Sequence, residues 1–214
     1  MMRPAAASRP LLRRGVVRCV AVVVPLLWLA ACMPAAVRIR GDARTQAAQQ
    51  QREQALANAD HWVMQGRLGV SDGKDGGSGG FSWTQAGDQY DFVLRAPITG
   101  KSFRLSGTQG DALLEGLDGG PLRGTNAESL MRKALGWEVP LHDLRAWVLG
   151  LRADSGPAEV SFGQNGLPSL LQQDGWAVDY RAWDTTRQPA LPTRVYAEKP
   201  PYKVKLSIES WQLQ

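Results

Sequence analysis

Cysteine and histidine are nearly missing from this sequence. Its 214 residues hold two cysteines, Cys19 and Cys32, and two histidines, His61 and His142. The histidines have no metal-ligand spacing, so no metal site is expected, and both read as polar surface positions on or beside helices. Long apolar runs are scarce as well. Val20 to Trp28 is apolar but falls short of the roughly 20 residues that a membrane-spanning helix needs. Acids are absent from residues 1 to 31, where Arg3, Arg9, Arg13, Arg14 and Arg18 gather. The net charge of +5 therefore belongs to that segment. The rest of the chain is close to charge balance, which removes the compositional argument for nucleic-acid binding.

What is there begins with an export signal. A basic start, a short apolar core and the small residues Ala30 and Ala31 lead to Cys32, the order of a cleavable targeting segment. Leu29-Ala-Ala-Cys32 resembles the bacterial lipoprotein box, so Cys32 is expected to carry lipid on its thiol. Residues 1–31 are then a signal peptide, 32–41 a lipidated tether, and 42–214 a single domain. With Cys19 removed and Cys32 acylated no disulfide is expected, and the domain rests on its hydrophobic core. Seven tryptophans lie beyond the signal, which points to a roomy apolar interior.

Along the domain, Thr45 to Asp60 is rich in Ala and Gln and predicts a surface helix. Short strands are expected from Trp62 onward, with Ser71 to Gly80 read as a flexible hairpin loop because it is almost wholly Gly, Asp, Ser and Lys. Thr125-Asn-Ala-Glu128 has the form of a capping box ahead of a helix stopped by Gly136. Leu141, Leu144, Trp147, Val148 and Leu151 recur at helical spacing behind Pro140. From Glu159 the strand pattern returns. In the last segment Val204, Leu206 and Ile208 alternate with Lys203, Lys205 and Glu209, a strand with one buried face. Strands, two helices and strands again predict an α+β fold, mainly antiparallel β, with helices laid on one face of a curved sheet.

No catalytic constellation emerges. Gly76-Gly-Ser78-Gly-Gly80 matches a nucleophile elbow only in composition, because a strand and not a helix follows it. Gly100-Lys101-Ser102 resembles the end of a phosphate loop, but the required first glycine is Arg95. Asp174, Asp179 and Asp184 read as solvated acids. No catalytic residue and no cofactor is expected.

Four stretches carry a further pattern: Val139-Pro-Leu-His-Asp-Leu-Arg-Ala-Trp-Val-Leu-Gly-Leu151, Gln164-Asn-Gly166 with Gly175-Trp-Ala-Val-Asp-Tyr180, Gln188-Pro-Ala-Leu-Pro192, and Lys203-Val-Lys-Leu-Ser-Ile-Glu-Ser-Trp211. Together they resemble the LolB family of lipoprotein receptors in the Gram-negative outer membrane. The resemblance implies a half-barrel sheet of about eleven strands, with helices covering the concave side and enclosing a hydrophobic cavity. It also implies a monomer on the inner leaflet of the outer membrane, facing the periplasm. Such a receptor takes lipoprotein clients from the periplasmic carrier LolA by their acyl chains and delivers them to outer-membrane lipid without nucleotide hydrolysis. Met33, not aspartate, follows Cys32, which by the family's sorting rule sends the protein to the outer membrane.

Under this reading the cavity would be lined by Phe92, Leu94, Phe103, Leu105, Trp137, Leu144, Trp147 and Val148, each equally compatible with plain core packing. Pro97, Ile98, Thr99 and Gly100 form a turn whose apolar tip is out of place. The family carries a protruding hydrophobic residue at the position of Ile98, implying that this loop enters the bilayer. The alternatives are a lipoprotein that binds an apolar ligand without passing it on, and a structural lipoprotein with a solid core.

Overall fold

The computed structural model describes residues 37–95 and 102–214. Both Cys32 and the loop Pro97, Ile98, Thr99 and Gly100 lie outside the described residues. One antiparallel sheet of twelve strands organises the domain: β1 (Ile39–Arg40), β2 (His61–Ser71), β3 (Gly76–Ala86), β4 (Gln89–Arg95), β5 (Ser102–Thr108), β6 (Asp111–Glu115), β7 (Leu122–Gly124), β8 (Ala158–Phe162), β9 (Pro168–Gln173), β10 (Trp176–Asp184), β11 (Leu191–Lys199) and β12 (Tyr202–Leu213). The spatial order is β1-β8-β9-β10-β11-β12-β2-β3-β4-β5-β6-β7, so β1 and β7 are free edges and the sheet is open. Both edge strands are short and escaped the sequence pattern. Ile39 and Arg40, expected within the tether, pair with Phe162 and Ser161.

The long central strands follow the period of two that sequence alternation demands. In β2, Trp62, Met64, Leu68 and Val70 are buried, while Gln65 and Arg67 are exposed. In β12 the buried set is Val204, Leu206, Ile208 and Trp211. The two strands pair from Lys203↔Ser71 to Leu213↔Trp62, with a register shift between Ile208 and Ser210. Gly66 permits that bulge, since a Cβ there would stand 2.1 Å from the Ser207 carbonyl oxygen. Bulges bend a strand and increase its twist, which helps to curl the sheet.

The expected loop 71–80 is a correction. Only residues 72–75 turn, and Gly76 to Gly80 are strand residues paired with Ser71 to Arg67. Glycine content favoured a loop, but here it serves close packing: a Cβ on Gly77 would meet the Trp137 ring at 2.9 Å. Ser78 of the apparent elbow is an exposed strand residue opposite Gly69.

Among the described residues, three helices complete the fold. Helix α1 (Ala43–Leu56) starts earlier and ends earlier than the composition predicted, capped by Asp42, whose side chain accepts from Thr45 N at 2.7 Å. Helix α2 (Ala127–Leu135) is capped by Asn126 and not by Thr125. The Asn126 side chain accepts from Ser129 N at 2.8 Å. Gly136 closes this helix at φ 70°, as its position predicted. Glu128, the other half of the expected box, instead accepts from His142 N at 3.1 Å. It thereby caps helix α3 (Leu141–Trp147), whose own N-cap Pro140 offers no side-chain bond. Helix α3 is shorter than its apolar stripe suggested, because the chain tightens through Gly150 at φ 73°.

Candidate functional site

The concave face is built from cross-strand apolar pairs. Phe81 opposes Leu94, and Trp83 opposes Phe92. Phe92 in turn opposes Leu105, and Leu94 opposes Phe103. Leu105 then meets Leu114 of β6. The rings join these rows: Phe81 stacks on Phe92 at 5.8 Å, and Trp83 meets Phe92 edge-on at 5.9 Å. Trp62 extends the cluster to Trp83 at 5.2 Å and Trp211 at 5.6 Å.

The eight residues proposed from sequence to line a cavity fall into two groups. Leu94, Leu105, Leu144, Trp147 and Val148 are buried, none more than 3% exposed. Phe92, Phe103 and Trp137 are half-buried and pack on the outside of that cluster. Trp137 meets Phe103 edge-on at 6.3 Å, placing the α2–α3 connection against β5. All eight belong to one continuous apolar cluster running from the sheet to α3.

Polar bonds that sequence reasoning missed hold α3 over this face. Gln173, 2% exposed, accepts from the Trp147 indole N–H at 3.0 Å and from Ala153 N at 2.9 Å. Its amide donates to the carbonyls of Ala153 and Gly156, each at 2.8 Å. Tyr180 donates its hydroxyl to the Trp147 carbonyl at 3.0 Å, and full burial pushes the phenol up from its ordinary value. On the other flank Arg52 of α1 is buried over Trp183, 4.8 Å from the ring centroid. It donates to the Gly150 carbonyl at 3.0 Å, the Ala190 carbonyl at 2.8 Å, and the Leu149 carbonyl. Desolvation lowers its pKa to about 10, still well above neutrality, so the cation persists. The Leu149 and Gly150 carbonyls follow the end of α3, where a cation complements the helix dipole.

An open cleft of about 270 Å³ lies beside the start of α3, with Trp83, Tyr90 and Leu141 contributing apolar wall and Gln85, Glu128 and Arg145 polar wall. None of the eight residues lines it. Trp83 and Leu141 nonetheless belong to the same apolar cluster, so the cleft reaches the interior surface.

The remaining chemistry-bearing residues stay apart. His61 opens a strand, against expectation, and pairs with Asp60 at 2.8 Å. His142 lies on α3 and pairs with Asp154 at 2.8 Å. Asp179 is not solvated as expected: it is mostly covered and paired with Arg38 and Arg181. Among the described residues no group of three His, Cys, Asp or Glu could hold a metal ion, and no helix is long and apolar enough to cross a membrane.

A family model described as Outer membrane lipoprotein LolB matches residues 60–211, nearly the whole of the sheet and both covering helices. The chain belongs to the LolB family. Relatives named Outer-membrane lipoprotein LolB include one from Xanthomonas campestris, 43% identical over 157 residues that cover 71% of this chain and 72% of the relative. Another, from Xylella fastidiosa, is 34% identical over 180 residues and covers 83% of each. Among solved structures a LolA superfamily protein from Nitrosomonas europaea aligns with a TM-score of 0.50 at 11% identity, covering 79% of this chain and 93% of that one. A lipoprotein-sorting protein domain from Vibrio parahaemolyticus aligns equally, at 9% identity. At those identities the likeness is one of fold, and LolB membership rests on sequence.

Proposed function

We propose that this chain is an outer-membrane lipoprotein receptor, anchored through Cys32 and facing the periplasm, that accepts lipoproteins from the carrier LolA and delivers them to the membrane. The observation that carries the reading is the continuous apolar face between sheet and α3, in a chain whose LolB match spans the same elements. Phe92, Leu94, Phe103, Leu105, Trp137, Leu144, Trp147 and Val148 supply the surface that acyl chains would contact. Since most of these are buried, α3 and the α2–α3 connection must move outward to admit a ligand. Polar bonds suit that movement better than interlocked side chains would, because water can replace a hydrogen-bond partner.

Exposing acyl chain to water costs about 0.8 kcal/mol per methylene. A client with several long chains therefore cannot diffuse free, and carrier and receptor must meet mouth to mouth. No nucleotide or enzymatic step enters the reading, and transfer runs toward the site that binds the chains more favourably. Pro97, Ile98, Thr99 and Gly100, between β4 and β5, are assigned to the release step at the bilayer.

The test is to mix the receptor with a purified carrier–lipoprotein complex, without nucleotide, and follow which protein holds the lipoprotein. Movement of the lipoprotein to this chain is expected. If it stays on a competent carrier while this chain still binds an apolar dye, the reading gives way to a lipid binder that does not pass its ligand on.

A further inference from the structure

The face of the sheet turned away from the core carries an unusual row of cations. Reading directly across the ladder, Arg95 of β4 opposes Gly80, which opposes Arg67 of β2. Arg67 opposes Ser207, which opposes Arg194 of β11. Direct partners point to the same side of a sheet, so the three arginines stand in line, each separated from the next by about 9.5 Å, two strand spacings. All three are exposed. Lys205, exposed in the neighbouring row, lies 5.5 Å from the Tyr196 ring centroid and extends the positive surface.

Several neighbouring cations on this face are neutralised. Arg104 binds Asp91 at 2.7 Å, Arg181 binds Asp179 at 2.8 Å, and Lys203 binds Glu198 at 3.0 Å. Arg67, Arg95, Arg194 and Lys205 have no acidic partner among the described residues. Nor is the gap between them filled. A Cβ on Gly69 would meet nothing within 4 Å, and one on Gly80 only the Gly66 carbonyl oxygen at 3.9 Å. Packing does not require glycine at either place. The result is a flat positive strip with room above its backbone.

We propose that this strip docks the domain on the phosphate groups of an anionic phospholipid bilayer. Guanidinium groups present forked donors that match phosphate oxygens, and low side chains between them let a flat surface approach closely. A basic patch beside a covalent lipid is a recognised second membrane signal. The strip also leads to Arg95, the last described residue before the segment assigned above to the bilayer. The inference rests on the membrane placement in that reading and is independent of its transfer step.

The test uses the lipidated full chain on vesicles of zwitterionic phospholipid, with and without an anionic phospholipid. Arginines are modified with a dicarbonyl reagent, and each site's reaction rate is read by peptide mass spectrometry. Arg67, Arg95 and Arg194 are expected to react several-fold more slowly on the anionic vesicles, with the protection lost at high salt. Arg132, exposed on α2 on the opposite side of the sheet, serves as the control and should be unaffected. Equal rates on both vesicles, or equal protection of Arg132, would overturn the proposal. So would protection that appears only when an acidic protein is added, since the strip would then be a protein interface. No carrier or client is present, so failure here leaves the transfer reading standing.

Discussion

The Trp137 indole lies against the backbone of Gly77, with 2.9 Å between its Cζ2 atom and the place a Cβ would occupy. A glycine in β3 thus makes the seat for a ring that joins α2 to α3. It also explains how a half-buried tryptophan is held in place without a partner helix.

Gly77→Val should unseat that ring. Overpacking of this kind costs about 1–3 kcal/mol, read as a lower denaturation midpoint. Removing the ring first, with Trp137→Ala, should shrink the cost of Gly77→Val because the two residues are in contact. An identical cost in both backgrounds would show that the clash is not the cause.

Gln173→Leu should loosen the cover over the interior. Four groups lose their partner: the Trp147 indole N–H, Ala153 N, and the carbonyls of Ala153 and Gly156. With a penalty of about 1–3 kcal/mol for each buried group left unsatisfied, the total loss should exceed about 3 kcal/mol. Faster hydrogen exchange at the α3 and 151–156 amides would locate it.

Asp143 of α3 is buried, and its Oδ1 has no hydrogen-bond partner among the described residues. Burial, more than the nearby Asp174 and Glu128, raises its pKa above the ordinary 3.8, against a hydrogen bond from Ser155 that lowers it. A carboxyl raised in the native state favours folding when protonated. As pH climbs through 3.8 the unfolded chain ionises first, so stability falls until the native value is passed. Asp143→Asn should therefore stabilise the protein at neutral pH, by less than about 1 kcal/mol given partial solvent screening. The gain should vanish in acid below the ordinary carboxylate range, as melting curves at two pH values would show.

Ile98→Glu should leave uptake from the carrier intact and slow delivery to vesicles. Moving a charged side chain into hydrocarbon costs upwards of 2 kcal/mol relative to isoleucine, so delivery should fall by about tenfold or more. Ile98→Leu should deliver normally. Wild-type delivery by the glutamate variant would remove Ile98 from the release step.

Features that repeat with the strand or helix period were legible in the sequence. The alternation of Val204, Leu206 and Ile208 and the stop at Gly136 both appear in the structure as read. Features fixed by distant partners were not. Gly76 to Gly80 read as a loop because composition cannot reveal that Trp137, some sixty residues on, seats its ring on Gly77. Thr125 and Asn126 are both good caps, and only backbone geometry decides for Asn126. Arg52 and Gln173 carry no sequence signal of burial, since most of their hydrogen-bond partners are backbone carbonyls and amides that any residue supplies. The eight candidates, chosen as apolar residues expected on the concave face and under the helices, fall in one apolar cluster. Their closure under α3 depends on bonds that the apolar pattern does not contain.

The pairing of Ile39 with Phe162 sets the length of a leash. Six residues lie between Cys32 and Ile39, and the seven steps of chain, at 3.3–3.6 Å each, can reach at most about 25 Å. Under the anchoring through Cys32 proposed above, the sheet edge at β1 would stand no farther than that from the membrane anchor. A receptor so tethered would not patrol the space it faces. In the proposed function its carrier would have to complete the crossing, and the last stage of delivery would be confined to that reach of the membrane.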